Sequence, residues 1–245
     1  MTNNSRRVLM INAVVWTAAY DGESPLRDVH GWFARCLADV PRVDLQRVTP
    51  QEDVVGMARQ GVDGIIISGS PRDAWSGDSV NLKLCELIGV CQERSIPVLG
   101  VCYGHQILGR ALGGVVARHP QGLELGNTSI ELTSSGQASP LFAGMPARFE
   151  ALSSHWDAVL EMPPGGELLA RGDFTANQAF QWNRLLFGVQ FHPEFDPEVL
   201  RFIWGPRREI WRGKVPFDLD QTLDHLRPTP ATTQILRNFV TQIIP

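Results

Sequence analysis

The sequence predicts an α/β fold with a doubly wound, mostly parallel sheet, an antiparallel extension and helices on both faces. Short apolar strands alternate with amphipathic helices through the first half of the 245-residue chain. This alternation implies right-handed crossovers and a parallel sheet. Farther along, strand-like segments follow one another without long helices between them, which favours antiparallel pairing.

The elements of the first half follow from residue spacing. The strands are compact apolar runs, whereas apolar residues in the helices recur three and four positions apart. Functional loops of such sheets cluster at the carboxyl ends of the strands, so the residues that follow the third and fourth strands are candidates. We predict strands over 8–15, 43–48, 64–68 and 98–101, and helices over 28–40, 51–60, from 79 onward and 103–112.

The second half is expected to add strands and then two helices. We predict strands over 115–117, 127–132, 148–153 and 180–191, and helices over 197–203 and 232–244. The segment between these helices either forms a partner interface or a lid, or only packs and contacts solvent; its candidate residues are Trp204, Arg207, Arg208, Trp211 and Arg212. With no repeat or linker, we expect one domain over 1–245, with a core of about 8–197 and a C-terminal helical segment over 198–245.

Composition narrows the class of protein. Hydrophobic residues make up 43% and charged residues 20% of the chain, as in ordinary globular proteins. A net charge of −4 gives no electrostatic case for nucleic acid or an anionic membrane as a partner. The apolar run Val8–Trp16 is too short to span a bilayer. Cys36, Cys85 and Cys91 show no metal-ligand spacing, so we expect a cytoplasmic protein without a metal or cofactor.

Cys102 lies between a predicted strand and a predicted helix, and Gly100 and Gly104 flank it. A strand that turns sharply into a helix needs both glycines, because side chains would collide across the turn. The N–H groups and dipole of the helix N-terminus favour a thiolate over a thiol. The alternative is a small cysteine that only packs. The flanking glycines favour a nucleophile.

His192 is the strongest candidate for a base that serves this thiol. An apolar strand delivers it, Pro193 ends that strand, and Glu194 follows two residues later. A carboxylate so close in sequence can orient an imidazole and stabilise its protonated form. The alternatives are a loop histidine or part of a metal site, but no further ligands stand at suitable spacing. His105 is expected to pack within its helix.

Backbone donors for an oxyanion are expected near the thiol. The N–H of Tyr103 follows the nucleophile at the helix start, and Gly69 lies at the end of the neighbouring strand. Glycine at that position would let the backbone approach a substrate closely, although 68–71 is equally consistent with a simple turn. Likewise, His155 in the string 153–157 either lines a substrate site or belongs to a turn.

Two segments in this order resemble the class I glutamine amidotransferase domain. They are Gly100–Gln106 and Gly188–Glu194. The similarity extends over about 8–197, and the tail helix near Asn238 is also similar. The resemblance implies the family's flavodoxin-like fold. It also implies a role for each matching residue: nucleophile Cys102, base His192, orienting carboxylate Glu194, oxyanion donors Gly69 and Tyr103, and Gln106 at the amino-acid end of the substrate.

The chain departs from many amidotransferases in one motif. Gly69-Ser70-Pro71 stands where they carry Gly-Gly-Pro, and Asp73 follows. These residues, with the string Ser154-His155-Trp156-Asp157, are more similar to the stand-alone branch that includes γ-glutamyl peptidases and GMP-synthase-type glutaminases. We therefore add four candidate substrate-binding residues: Ser154, His155, Trp156 and Asp157.

Three functions follow from these interpretations. The first is hydrolysis of glutamine to glutamate and ammonia for a separate synthetase partner. The second is a stand-alone γ-glutamyl peptidase acting on glutathione-like peptides or conjugates. The third, a non-catalytic binding or regulatory protein, is the weakest, because the cysteine, histidine and glutamate are all present.

Overall fold

The computed structural model describes residues 5–20 and 23–245. The single domain predicted over 1–245 also includes 1–4 and 21–22, which lie outside the described residues. Its division into a core and a C-terminal segment stays a prediction. The described strands are β1 (Arg6–Ile11), β2 (Val43–Val48), β3 (Gly64–Ile67), β4 (Val98–Val101), β5 (Val115–Arg118), β6 (Glu124–Leu132), β7 (Arg148–His155), β8 (Asp157–Glu161), β9 (Glu167–Arg171), β10 (Ala179–Trp182) and β11 (Leu186–Val189).

The predicted mixed sheet is confirmed. Nine of the described strands form one sheet in the order β2-β1-β3-β4-β11-β10-β9-β6-β7. The first five strands are parallel to one another, and the pairing is antiparallel from the β11–β10 pair onward. Because β3, β4 and β11 are adjacent and parallel, the loops after Ile67, Val101 and Val189 open at the same edge. This edge carries the candidate site.

Helices cover both faces of the sheet, as the residue pattern predicts. Along β1, Val8 and Met10 face one core with α1 and α8, whereas Leu9 and Ile11 face the other with α2, α3 and α4. The described helices are α1 (Val29–Leu37), α2 (Val54–Gln60), α3 (Ser79–Arg94), α4 (Tyr103–Ala111), α5 (Ser134–Ala138), α6 (Pro197–Trp211), α7 (Leu219–Asp224) and α8 (Thr233–Asn238).

One strand prediction is wrong in its extent, and another is right in its residues but wrong in its place in the sheet. The run 180–191 is a hairpin of β10 and β11, because Asn183 and Arg184 adopt left-handed backbone conformations with φ of 52° and 55°. The strand at 115–117 does not extend the main sheet. It pairs with β8 in a separate two-stranded sheet. Neither β8 nor β9 was expected.

The C-terminal part differs from its prediction in extent. Helix α6 continues to Trp211 instead of ending at Ile203, and α7 lies within the segment for which no helix was predicted. The final helix ends at Asn238 and continues as a π-helical turn over Phe239–Ile243. Within residues 5–20 and 23–245, no helix is both long and apolar enough to cross a membrane.

Candidate active site

The sharp turn predicted at Cys102 is present between β4 and α4. Cys102 has φ 52° and ψ −101°, and its N–H donates to the Val189 carbonyl over 2.8 Å. A Cβ on Gly100 would lie 2.3 Å from the Gly104 carbonyl oxygen, and one on Gly104 would lie 2.4 Å from the Ile67 carbonyl oxygen. Both positions therefore require glycine, as the sequence predicts.

His192 is fixed beside this turn by three contacts. Its backbone N–H donates to the Leu152 carbonyl over 2.8 Å, which anchors the loop after β11 to β7. Its Nδ1 lies 2.8 Å from Glu194 Oε1. The Phe195 ring stacks on the imidazole at 3.8 Å between centroids and 4° between planes. The ring therefore has little freedom to turn or shift.

The charge state of His192 follows from its neighbours. Burial disfavours the imidazolium and by itself lowers the pKa of His192. The charges of Glu194 and Cys102, together with hydrogen bonds to both, outweigh that effect and raise the pKa to about 10. The protonated form of the buried imidazole is thus favoured next to Cys102.

Gly69, in the loop after β3, lies against both side chains. A Cβ there would be 2.7 Å from His192 Cε1 and 3.7 Å from Cys102 Cβ. Two serines fasten the loop: Ser68 Oγ accepts from the Ala13 N–H over 2.9 Å, and Ser70 Oγ donates to the Ala13 carbonyl over 2.9 Å. The absence of a side chain at Gly69 is what allows the imidazole to approach the loop.

Tyr103, the first residue of α4, offers a backbone N–H at the helix start and a side-chain hydroxyl that bonds to Asn81. Its backbone N–H, like those of every first helical turn, has no acceptor within the helix. Its buried hydroxyl donates to Asn81 Oδ1 over 2.6 Å, and burial raises the pKa of this phenol. Asn81 Nδ2 in turn donates to the carbonyls of Asp73 and Ser76. The side chain of Tyr103 therefore helps to hold the loop that follows Gly69.

A cavity of about 350 Å³ opens above the thiol. It is lined by all but one of the site residues predicted from the sequence. The exception is Tyr103, whose side chain is fully buried. The predicted residues that line it are Gly69, Cys102, Gln106, Ser154, His155, Trp156, Asp157, His192 and Glu194.

Gln106 projects from α4 into this cavity and is almost fully buried. Its Nε2 donates to the Asp157 carbonyl over 2.7 Å and to Gln190 Oε1 over 3.3 Å. Gln190 was not singled out in the sequence, because a glutamine inside an apolar strand gives no local signal. These two bonds fix the amide of Gln106 at the cavity wall.

His155 lines the cavity and is held by acceptors on both ring nitrogens. Nδ1 lies 3.0 Å from the Asp157 carbonyl oxygen and Nε2 lies 2.8 Å from Glu124 Oε2. These two contacts fix the orientation of the ring. Burial raises the pKa of Glu124, but hydrogen bonds from His155, Thr175 and Gln178 outweigh it and lower that pKa overall. Sequence reasoning missed Glu124, which lies 31 residues from His155.

The other residues of this string contact different elements. The Asp157 carboxylate accepts from Trp75 Nε1 over 3.1 Å, and its other oxygen lies 3.6 Å from Arg118 Nε. Burial and the nearby Asp73 carboxylate raise the pKa of Asp157. Ser154 Oγ accepts from Trp204 Nε1 over 2.9 Å, which joins β7 to α6.

Helix α6 divides the candidate residues of the C-terminal segment into two groups. Trp204, Arg207 and Trp211 line the cavity. Arg208 and Arg212 do not; both form ion pairs with Asp220. The segment therefore forms a wall of the cavity, and its remaining arginines hold α6 against α7.

His105 packs in the core, as predicted. Its ring is fully buried, 4.9 Å from the Phe180 ring, and burial lowers its pKa to about 3. It therefore stays neutral. Within the part of the chain that the structure describes, no group of three or more His, Cys, Asp or Glu side chains is arranged to hold a metal ion.

Comparison with known families decides the class of this site. Residues 29–201 match the model of the class I glutamine amidotransferases. The chain belongs to this family. A solved glutamine amidotransferase from Thermotoga maritima shares the fold with a TM-score of 0.75, 20% identity, and coverage of 98% of this chain and 99% of that one.

Two curated relatives of this amidotransferase family member carry different names. Gamma-glutamyl peptidase 5 of Arabidopsis thaliana is 37% identical over 140 residues, 56% of each chain. The match thus spans about half the length of that relative. A glutamine-hydrolysing GMP synthase subunit from Methanopyrus kandleri is 33% identical over 186 residues, 71% of this chain and 92% of the relative. The chain is thus similar both to a peptidase and to a synthase subunit.

Proposed function

We propose that the chain hydrolyses a γ-glutamyl amide through a Cys102–His192–Glu194 triad, with glutamine as substrate and ammonia as the released amine. The single observation that carries the proposal is the buried cluster at one sheet edge. There His192 is hydrogen-bonded to Glu194 at 2.8 Å and lies with Cys102 against Gly69, below a cavity of about 350 Å³.

The first half of the reaction forms a thioester. The Cys102 thiolate attacks the side-chain amide carbon, and the oxyanion is bound by the backbone N–H groups of Gly69 and Tyr103. The carbon–nitrogen bond then breaks as the His192 imidazolium transfers its proton to the departing amine. Glu194 accepts from Nδ1 throughout, which keeps the ring oriented and its positive charge stabilised.

The second half of the reaction regenerates the thiolate and the imidazolium. Neutral His192 removes a proton from a water molecule that attacks the thioester, and glutamate leaves as the sulfur recovers its electron pair. Gln106, fixed by Asp157 and Gln190, is placed to bind the amino-acid end of the substrate. We assign the string 154–157 to the opposite wall of this subsite.

The relatives support two destinations for the nitrogen. Similarity to a glutamine-hydrolysing synthase subunit supports release of ammonia to a separate synthetase, which would dock over the cavity mouth. A specific observation favours the second candidate, a γ-glutamyl peptidase: the cavity continues past the triad to Trp204, Arg207 and Trp211 on α6. Ammonia would occupy none of that space.

The test is turnover by the purified chain without a partner. Glutamate release from glutamine and from glutathione is measured for the wild-type chain and for Cys102→Ala. We expect glutamate from at least one of the two substrates and a loss of nearly all activity in the variant, because members of a triad act as a unit. Inertness of the wild-type chain to both, with no covalent labelling of Cys102 by a γ-glutamyl chloroketone, would refute the proposal.

A further inference from the structure

The cavity has an outer compartment that the triad does not use. We give this name to the lining formed by Trp16, Tyr20, Arg118, Trp156, Trp204, Arg207 and Trp211. Its residues come from three separate parts of the fold: the segment after β1, the strands around Trp156, and α6. Five aromatic rings and two guanidinium groups therefore face one space that connects to Cys102.

The aromatic walls are held in place from behind. The Tyr20 hydroxyl donates to the Ile203 carbonyl on α6, and the Trp204 indole N–H donates to Ser154. Trp156 and Trp211 pack directly against each other, with ring centroids 4.7 Å apart and planes inclined by 44°, and together form one wall of the compartment. Such preformed aromatic surfaces bind planar groups with little loss of conformational entropy.

The two arginines lie against these rings. The Arg207 guanidinium is 5.8 Å from the Tyr20 ring and 5.9 Å from the Trp204 ring, and Arg118 is 5.4 Å from the Trp156 ring. In residues 5–20 and 23–245, no carboxylate lies within 4.0 Å of Arg207. Arg212, five residues further on, instead pairs with both Glu209 and Asp220. A guanidinium in an aromatic cavity is well suited to a carboxylate or phosphate ligand.

We infer that the outer compartment binds the amine portion of a γ-glutamyl amide, and that this portion carries an aromatic ring and an anionic group. The inference rests on the triad of the proposed function, which places the scissile amide over Cys102, and on its second candidate, a γ-glutamyl peptidase, for the released amine. The chemical steps are those of the proposed function: the sulfur–carbon bond forms, the carbon–nitrogen bond breaks, and the His192 proton goes to the departing arylamine. The rings bind its planar part, and Arg207 binds its charge.

Three synthetic amides separate these contributions. The probes are γ-glutamyl-methylamide, γ-glutamyl-anilide and γ-glutamyl-4-aminobenzoate, which add a ring and then a carboxylate. Their Kd values are measured calorimetrically with the Cys102→Ala chain, and their kcat/KM values with the wild-type chain. We expect affinity to rise in the order given, with the carboxylate contributing at least about tenfold, the low end for a hydrogen bond to a charged group.

Matched arginine variants assign the anion contact. Arg207→Gln, in the Cys102→Ala background, is expected to remove most of the advantage of the carboxylate while leaving the affinity for the anilide within about twofold. Arg212→Gln, an arginine close by on the surface, is expected to keep that advantage, since its ion pairs lie outside the cavity. Trp211→Ala is expected to weaken both aryl amides and to spare the methylamide.

The outcomes separate the two proposals. Equal affinities for the three amides, or an advantage of the carboxylate that survives Arg207→Gln, would overturn the inference about the outer compartment. Turnover of glutamine alone, with the aryl amides neither bound nor cleaved, would overturn it and leave the triad intact. Tight binding of the aminobenzoate without cleavage of any amide by the wild-type chain would instead contradict the proposed function.

Discussion

Replacing Gly69 by alanine is the sharpest test of how the loop after β3 supports the triad. The new Cβ would lie 2.7 Å from His192 Cε1, whereas ordinary contact begins at 3.4 Å. The backbone at this residue is outside the left-handed region, so alanine introduces no other conflict. The imidazole cannot easily move away from the new Cβ, because Glu194 is hydrogen-bonded to Nδ1 and Phe195 stacks on the face of the ring.

The expected effect is large for catalysis and moderate for stability. Relief of the contact needs a displacement of about 0.7–1 Å, and misplacement on the order of 1 Å can lower a rate about 100-fold. Accommodating one extra methyl group typically costs about 1–3 kcal/mol of stability. We therefore expect Gly69→Ala to fold with a lowered urea midpoint and to lose about two orders of magnitude in kcat.

Gly77 provides the control, since a Cβ there would meet no atom within 4 Å. Steady-state release of glutamate is measured for both variants, with urea unfolding followed by tryptophan fluorescence. Gly77→Ala is expected to match the wild-type chain. If folded Gly69→Ala turned over within threefold of the wild-type rate, close contact between the loop and the imidazole would not matter for the reaction.

Three further substitutions probe separate parts of the site. Glu194→Gln is expected to lower kcat by about 10³–10⁴, as amide replacements of orienting carboxylates do. It should also move the alkaline limb of the kcat/KM profile to lower pH, because Glu194 raises the pKa of His192; an unmoved limb would contradict the pairing. Tyr103→Phe leaves the buried Asn81 Oδ1 without its hydroxyl donor and should destabilise the fold by about 1–3 kcal/mol in urea unfolding, with kcat largely kept. Glu124→Gln keeps an acceptor for His155 but removes the carboxylate charge, and should cost about 1–3 kcal/mol at pH 7. Because the pKa of Glu124 is lowered in the folded state, its contribution is present above the unfolded pKa near 4.5 and is lost as pH falls below it. The difference between wild-type and variant in urea unfolding should therefore begin to narrow as pH falls from 7 to 4 and narrow further as pH passes through the lower folded pKa, and a constant difference would argue against an ionised Glu124.

The parts of the site that the sequence could predict are those encoded locally. The turn at Cys102 depends on Gly100 and Gly104, two residues away on each side, and the His192–Glu194 pair is likewise two residues apart. Parallel strands then bring their loops together without further information, because β3, β4 and β11 are neighbours. Local chemistry and sheet topology together were sufficient.

The parts that could not be predicted depend on distant partners or weak turn signals. Asn183 and Arg184 form a left-handed turn without glycine, so the apolar residues around them read as one strand. Helix α7 spans only six residues, too few for periodicity to identify. Glu124 and Arg207 acquire their positions only through tertiary packing against His155 and Tyr20.

The backbone at Cys102 has an energetic consequence for the whole chain. Its φ of 52° and ψ of −101° fall where only glycine is comfortable, and a residue with a side chain held there stores about 1–3 kcal/mol of strain. We therefore expect Cys102→Gly to unfold at a higher urea concentration than Cys102→Ala, and equal midpoints would show that the turn is relaxed. On this argument the reactive sulfur is kept in position at the expense of stability. The glycine variant then offers the more robust inactive form for trapping bound amides.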